Sequence, residues 1–305
     1  MQEAGAPLLQ IAGLRKCYGD FSLDDVSLQV PEGCVVGLVG ANGAGKSTII
    51  KCILGLTQPD SGSIRLFGEE LAGMSQADFV QARSRIGVVF DACAFPDVLS
   101  VREVARIASR AYPAFDCGLF DSLAERLGVP RGKRVKELSR GTGMKLSIAL
   151  ALAARPELLI LDEATAGLDP LARGEVIGLL RDYMLQAEEE GCGVRGILMS
   201  SHISDDLEKL ADYVVCLDGG KLVFSVEACQ ITDSAGVAHC TRLDLERVRC
   251  SDLGQLGALR KLQRPYCVDV LVPDRRDFAS VFPDIAIERV GLDEYLAFFL
   301  KGDVL

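Results

Sequence analysis

The chain has 305 residues, room for a domain of about 200 residues with a smaller companion. Hydrophobic residues make up 49%, yet Lys145, Arg155 and Pro156 interrupt the longest apolar run short of the roughly 18 residues a membrane-spanning helix needs. A net charge of −10 speaks against a protein that wraps nucleic acid, whose affinity rests on Lys and Arg against phosphates. Eleven cysteines without C-x-x-C spacing and two histidines point to reduced thiols rather than to zinc ligation. The opening "MQEAGAPLLQ" lacks the basic and apolar blocks of a secretory signal, so a cytoplasmic location is expected.

Residues 8–30 alternate apolar and polar side chains about a turn at Gly19-Asp20, which predicts two antiparallel strands. "CVVGLVG" then reads as a strand buried on both faces, and "STIIKCILGL" carries helical spacing. "QPDSGSIRLFGEEL" predicts a turn and hairpin, residues 75–85 a helix, and "RIGVVF" another strand. From about residue 91 to 150 the pattern is mainly helical, punctuated by Pro96, Pro113 and Pro130, and is taken as an insert. A second buried strand, "ELLILDEA", leads to a helix over 171–189, a strand "RGILMS", a helix "SDDLEKLA" and the hairpin "YVVCLDGGKLVF". Beyond Phe224, "HCTRLDLERV", "SDLGQLGALRKL", "YCVDVLVP" and "DRRDFASVF" predict a small α+β appendage. It ends in the helix "LDEYLAFFLKG", with Leu292, Tyr295, Leu296 and Phe299 as its apolar stripe.

The segment Gly40-Ala41-Asn42-Gly43-Ala44-Gly45-Lys46-Ser47 fits G-x-x-x-x-G-K-[ST], between a predicted strand and a predicted helix. Backbone N–H groups of such a loop form an anion nest, and the helix adds its positive end. Lys46 then reaches the β and γ phosphates and the Ser47 hydroxyl binds Mg²⁺, with Thr48 beside it. A carboxylate at the end of a buried strand completes such a site, and "LLILDEA" supplies two. Asp162 is assigned to the Mg²⁺ shell and Glu163 to the attacking water as general base.

These motifs and their order resemble the ATP-binding subunit of ABC transporters over roughly residues 8–224. "LSRGT", Leu138 to Thr142, resembles the family signature usually written LSGGQ. The resemblance implies that Ser139 and Gly141 complete a partner subunit's ATP site across a head-to-tail dimer, with Asp169 of "AGLDP" near the partner's phosphate loop. It further implies that His202 of "SSHIS" meets the γ-phosphate and that Tyr18 stacks on adenine. Four positions depart from the family. Asp91 stands where glutamine is usual and offers Mg²⁺ a charged oxygen; Arg140 and Thr142 replace Gly and Gln of the signature; and Ala164 replaces a common proline.

The implied fold is α/β: a P-loop NTPase core of the ABC ATPase type with an N-terminal antiparallel β subdomain, a helical insert at about 91–147, and a small C-terminal α+β appendage. Residues 1–224 would form the ATP-binding domain and 225–305 an accessory region. The implied activity is Mg²⁺-dependent ATP hydrolysis by a subunit that dimerises on ATP, with itself or with a second ATPase chain. It would drive a separate membrane permease from the inner face of the cell membrane. Asp91 and "LSRGTGMKLSIALAL" resemble a bacterial branch that exports drugs or antimicrobial peptides. A soluble ABC-type ATPase and a non-hydrolysing ATP-binding regulator are the alternatives left open.

Overall fold

A computed structural model describes residues 6–190, 194–251 and 259–305. The chain divides into two compact units, residues 1–211 with 217–222, and residues 212–216 with 223–305.

The first unit opens on a hairpin of β1 (Leu9–Tyr18) and β2 (Phe21–Val30) turning at Gly19-Asp20. Leu9, Ile11 and Leu14 point inward, and the alternation slips one residue where the register shifts between Ile11 and Leu14. Strand β4 (Ser61–Leu66) pairs with β1, and β5 (Glu69–Glu70) closes this antiparallel sheet in the order β2-β1-β4-β5.

The second sheet of this unit is the parallel set β3 (Val35–Val39), β8 (Gly196–Ser200), β7 (Leu158–Asp162) and β6 (Ile86–Val89), neighbours in that order. Every residue of β3, β7 and β8 is buried, the pattern that continuous apolar runs predict for strands covered on both faces. Helix α1 (Lys46–Ile53) follows β3 directly and buries Ile49, Ile50, Cys52 and Ile53; α2 (Gln76–Ser84) precedes β6. The insert consists of α3 (Val101–Ala111), α4 (Cys117–Arg126) and α5 (Arg140–Ala153), each started by a polar cap: Ser100 with Glu103, Asp116 and Ser139. Helix α6 (Pro170–Glu190) has proline at its first position, and α7 (Ser204–Leu210) follows β8. No helix among the described residues is long and apolar enough to cross a membrane.

The boundary between units falls in β9 (Tyr213–Asp218) and β10 (Lys221–Glu227). The second unit is built on an antiparallel sheet of β14 (Ile287–Arg289), β11 (Gly236–Cys240), β13 (Val268–Val272), β12 (Arg260–Gln263) and β15 (Asp303–Val304) in that order. Ala238, Cys240, Val268, Val270 and Val272 form a core with Val248 of α8 (Arg242–Arg249) and Phe278 of α9 (Arg275–Val281). Helix α10 (Leu292–Lys301) buries Leu292 and fully encloses Phe298, while Tyr295 meets Phe224 edge-on and Phe299 packs against it at a tilt. The expected stripe omitted Phe298, its most buried residue. Of the segment "SDLGQLGALRKL", residues 252–258 lie outside the described residues.

Candidate functional site

The glycine-rich loop joins β3 to α1, and its glycines are needed for two separate reasons. Gly40, Gly43 and Gly45 all have positive φ, at 154°, 84° and 111°. A Cβ on Gly40 would also lie 2.3 Å from the Leu217 carbonyl oxygen, and one on Gly45 would lie 2.4 Å from Leu23 Cδ2. Left-handed backbone and close approach together admit only glycine there. Lys46 is 6% exposed. Its ammonium donates to the carbonyl oxygens of Gly40 at 2.6 Å and Ala41 at 3.3 Å. Ala41, Asn42, Gly43 and Ser47 are exposed, Thr48 is half-buried and Ala44 is buried, so the rim of the loop faces outward.

The carboxylate pair stands at the end of β7, beside β8. The Ser200 hydroxyl donates to Asp162 Oδ1 at 2.6 Å, and Ser200 Oγ accepts from the Glu163 N–H at 3.1 Å. Glu163 has φ of 52°, an uncommon value for a residue other than glycine. This conformation turns its side chain away from the strand's alternation. Oε1 lies 3.6 Å from Lys46 Nζ, and Oε2 is 2.5 Å from His202 Nδ1. Three elements therefore converge: the start of α1, the end of β7, and the turn after β8.

Lys46, Asp162, Glu163 and His202, all singled out in the sequence, are brought together. Ser200, which links the two acids, was missed, although its place at the end of a buried strand two residues before His202 was the available signal. Tyr18 ends β1, is 44% exposed and has the Lys16 ammonium 5.4 Å from its ring centre. Asp91 is exposed just past β6.

Ser139 caps α5, accepting from the Thr142 N–H at 3.2 Å. Asp169 caps α6, its carboxylate accepting from Leu171 and Ala172 N–H groups at 3.1 and 3.0 Å. Those bonds, with that of Ala172 foremost, hold its carboxyl below the usual value. The two loops meet: a Cβ on Gly141 would touch Leu168, and one on Gly167 would lie 3.3 Å from Arg140 Nε. Signature and "AGLDP" segments thus form one surface.

The parallel sheet, the loop with its helix and the acid pair define a P-loop nucleotide-binding ATPase. Residues 23–166 match the family model described as ABC transporter. The phosphonates import ATP-binding protein PhnC 1 of Ruegeria sp. is 33% identical over 240 residues, 74% of this chain and 91% of that protein. The Nod factor export ATP-binding protein I of Ralstonia nicotianae is 32% identical over 269 residues, 85% of this chain and 77% of its own. A solved ATP-binding subunit of an ABC transporter superposes with a TM-score of 0.64 at 26% identity, over 82% of this chain and 97% of that one. The chain belongs to the ABC transporter family, as an ATP-binding ABC-type ATPase.

Proposed function

We propose that this chain is the ATP-hydrolysing subunit of a transporter, pairing head to tail with a second ATPase subunit on binding ATP and driving a separate membrane permease. The observation that carries the reading is the convergence of Lys46, Glu163 and His202 on the phosphate loop. Lys46, the loop N–H groups and the N-terminus of α1 bind phosphate oxygens, while Tyr18 offers a ring face to adenine. Glu163 takes a proton from the attacking water, and His202, bonded to it, orients the carboxylate and meets the γ-phosphate. The hard oxygen donors Ser47, Asp162 and Asp91 suit Mg²⁺, which when bound neutralises phosphate charge. Ser139, Gly141 and Asp169 share the surface formed by the signature and "AGLDP" segments, available to a partner's nucleotide.

A groove of about 810 Å³ borders this machinery, lined in part by Leu54, Val80, Phe90, Phe95 and Tyr112. It runs between α2, the end of β6 next to Asp91, and the helical insert, and Val80 of α2 on its rim is 61% exposed. An amphipathic helix of the permease docked there would feel movement of both Asp91 and α5, which ends the insert. We take the docking surface to be residues 91–147 together with the groove's rim from the preceding elements, and the protein to act at the inner face of the membrane. Residues 225–305 act as an accessory region outside the catalytic site.

Relatives carry import and export names alike, and Asp91 with "LSRGTGMKLSIALAL" resembles the exporting branch. On that ground we favour export, with a drug or peptide as cargo. Affinity purification of the tagged chain from membranes, with its permease identified by mass spectrometry, tests the reading. Recovery of a membrane-spanning partner whose crosslinks map to the groove is expected. A soluble chain that never recovers a membrane protein and shows no Mg²⁺-dependent ATP turnover overturns it.

A further inference from the structure

The second unit holds a cluster that ATP chemistry does not use. His239 on β11 sits directly opposite Asp269 on β13, and Cys267 lies two residues before Asp269 at the turn out of β12. The residues are scattered in sequence, His239 and Asp269 being 30 positions apart, which is why cysteine and histidine spacing did not reveal them. Antiparallel pairing assembles them.

One oxygen is their meeting point. Asp269 Oδ1 is 2.7 Å from His239 Nδ1 and 3.5 Å from Cys267 Sγ. One donor atom from each of the three residues lies within 4.8 Å of the other two. The other carboxylate oxygen, Oδ2, accepts from Arg264 Nε at 2.6 Å, and Arg264 is in turn 3.6 Å from Glu294 Oε1. Arg264 therefore holds the Asp269 carboxylate from behind and leaves Oδ1 to the cluster. This is the arrangement in which an outer partner fixes the orientation of a metal ligand. The Asp269 side chain is 4% exposed and that of His239 37%, so the cluster is anchored within the sheet and open on the histidine side.

We propose that His239 Nδ1, Cys267 Sγ and Asp269 Oδ1 form a zinc-binding site that ties β11 to the β12–β13 hairpin. One nitrogen, one sulfur and one oxygen suit a borderline-soft cation that takes four ligands, the fourth being water from the exposed side. Magnesium, which prefers six oxygens, does not suit them. Charge balances: thiolate and carboxylate offset the dication, and Glu294 offsets Arg264. On binding, the Cys267 thiol gives its proton to solvent and the His239 imidazole carries its proton on Nε2, freeing Nδ1 for the metal.

The test uses the full chain, stripped with chelator and free of nucleotide. Titration with Co²⁺ should give thiolate charge-transfer bands and the d–d bands of a tetrahedral site. Both should vanish in Cys267→Ser, so that no other cysteine explains them. Zinc affinity, read by competition with a chromophoric chelator, should fall in Cys267→Ser and His239→Gln by more than the roughly 10- to 100-fold typical of losing an outer partner. Zinc should raise the melting temperature of the wild type and not of either variant. A wild-type Co²⁺ spectrum without thiolate bands overturns the proposal, and this readout needs no variant to fold. Equal zinc affinity in all three proteins would reduce the cluster to an ion-pair network.

Discussion

Lys46 and Glu163 face each other at the phosphate loop, the ammonium 3.6 Å from Glu163 Oε1 while it donates to the Gly40 carbonyl. In the proposed reaction that carboxylate stands beside the terminal phosphate. Glu163→Gln keeps the size of the side chain and removes the base. We expect Mg²⁺-dependent phosphate release to fall by about 10²- to 10⁴-fold. Nucleotide affinity, read with a fluorescent ATP analogue, should hold or rise because a negative charge is lost. Wild-type turnover by this variant would remove Glu163 from the role of base.

Lys46→Ala acts on binding instead. A charge-assisted hydrogen bond is worth about 1.5–3 kcal/mol, and about 1.4 kcal/mol is tenfold in affinity. The variant should therefore bind ATP roughly ten to a hundred or more times more weakly in equilibrium titration. Unchanged affinity would mean that the backbone nest alone holds the phosphates.

Much of this site was legible because it is local. The loop, the acids ending "LLILD" and His202 after "ILMS" each follow a short apolar run bounded by turn signals, which reads as a buried strand, and adjacent parallel strands carry their ends to one edge. What escaped depends on partners distant in sequence. Ser200 was an ordinary strand residue until pairing set it beside Asp162. His239 and Asp269 became neighbours only through β11–β13 register. In α10 the spacing of residues 295, 298 and 299 admits two adjacent faces, and the packing partners, Phe224 among them, decide which turns inward.

Gly45→Ala tests the steric part of the loop argument. The new methyl would meet Leu23 Cδ2 at 2.4 Å and Phe21 Cζ at 3.0 Å, at φ of 111°, and Leu23 is itself fully packed. A cost of about 1–3 kcal/mol for backbone strain, raised by the clash, should lower the melting temperature. At Gly43, φ is 84° but a Cβ meets nothing within 4 Å. Gly43→Ala should therefore cost less than Gly45→Ala in the same denaturation series. The reverse order would refute close packing as the reason for Gly45.

Asp206 in α7 gives a pH dependence of uncommon sign. It is 1% exposed, its Oδ2 is buried without a hydrogen bond, and Arg173 Nε is 3.9 Å away. Burial pushes its carboxyl above the ordinary value, against the Thr165 hydroxyl and the pull of Arg173 and Lys209 and with the help of Asp205. The folded state then holds the proton more tightly than the unfolded chain. Its contribution is fully present below the ordinary carboxylate range and is lost as pH rises through the folded value. Asp206→Asn should remove that component, so stability relative to wild type should shift in the variant's favour as pH rises from about 4 and then level off. A difference independent of pH would show that Asp206 is charged at no cost.

Ser139 has two assignments that one substitution separates. Within the chain it caps α5, accepting from the Thr142 N–H at 3.2 Å and sharing a 2.8 Å bond with the Thr142 hydroxyl. The proposed dimer gives it a phosphate oxygen of the partner's ATP. Ser139→Ala should cost about 1 kcal/mol as a lost cap, whichever assignment holds. Aspartate caps as well as serine and adds a negative charge that the helix N-terminus favours, so Ser139→Asp should keep or raise the melting temperature. The same carboxylate would repel a triphosphate approaching from a partner. Placed in the Glu163→Gln background, where slow hydrolysis prolongs the ATP-bound dimer, Ser139→Asp should abolish ATP-driven dimerisation in size-exclusion chromatography while each monomer still binds nucleotide. A stable Ser139→Asp variant that dimerises with ATP as well as its parent would leave Ser139 a helix cap alone and take the trans site out of this loop.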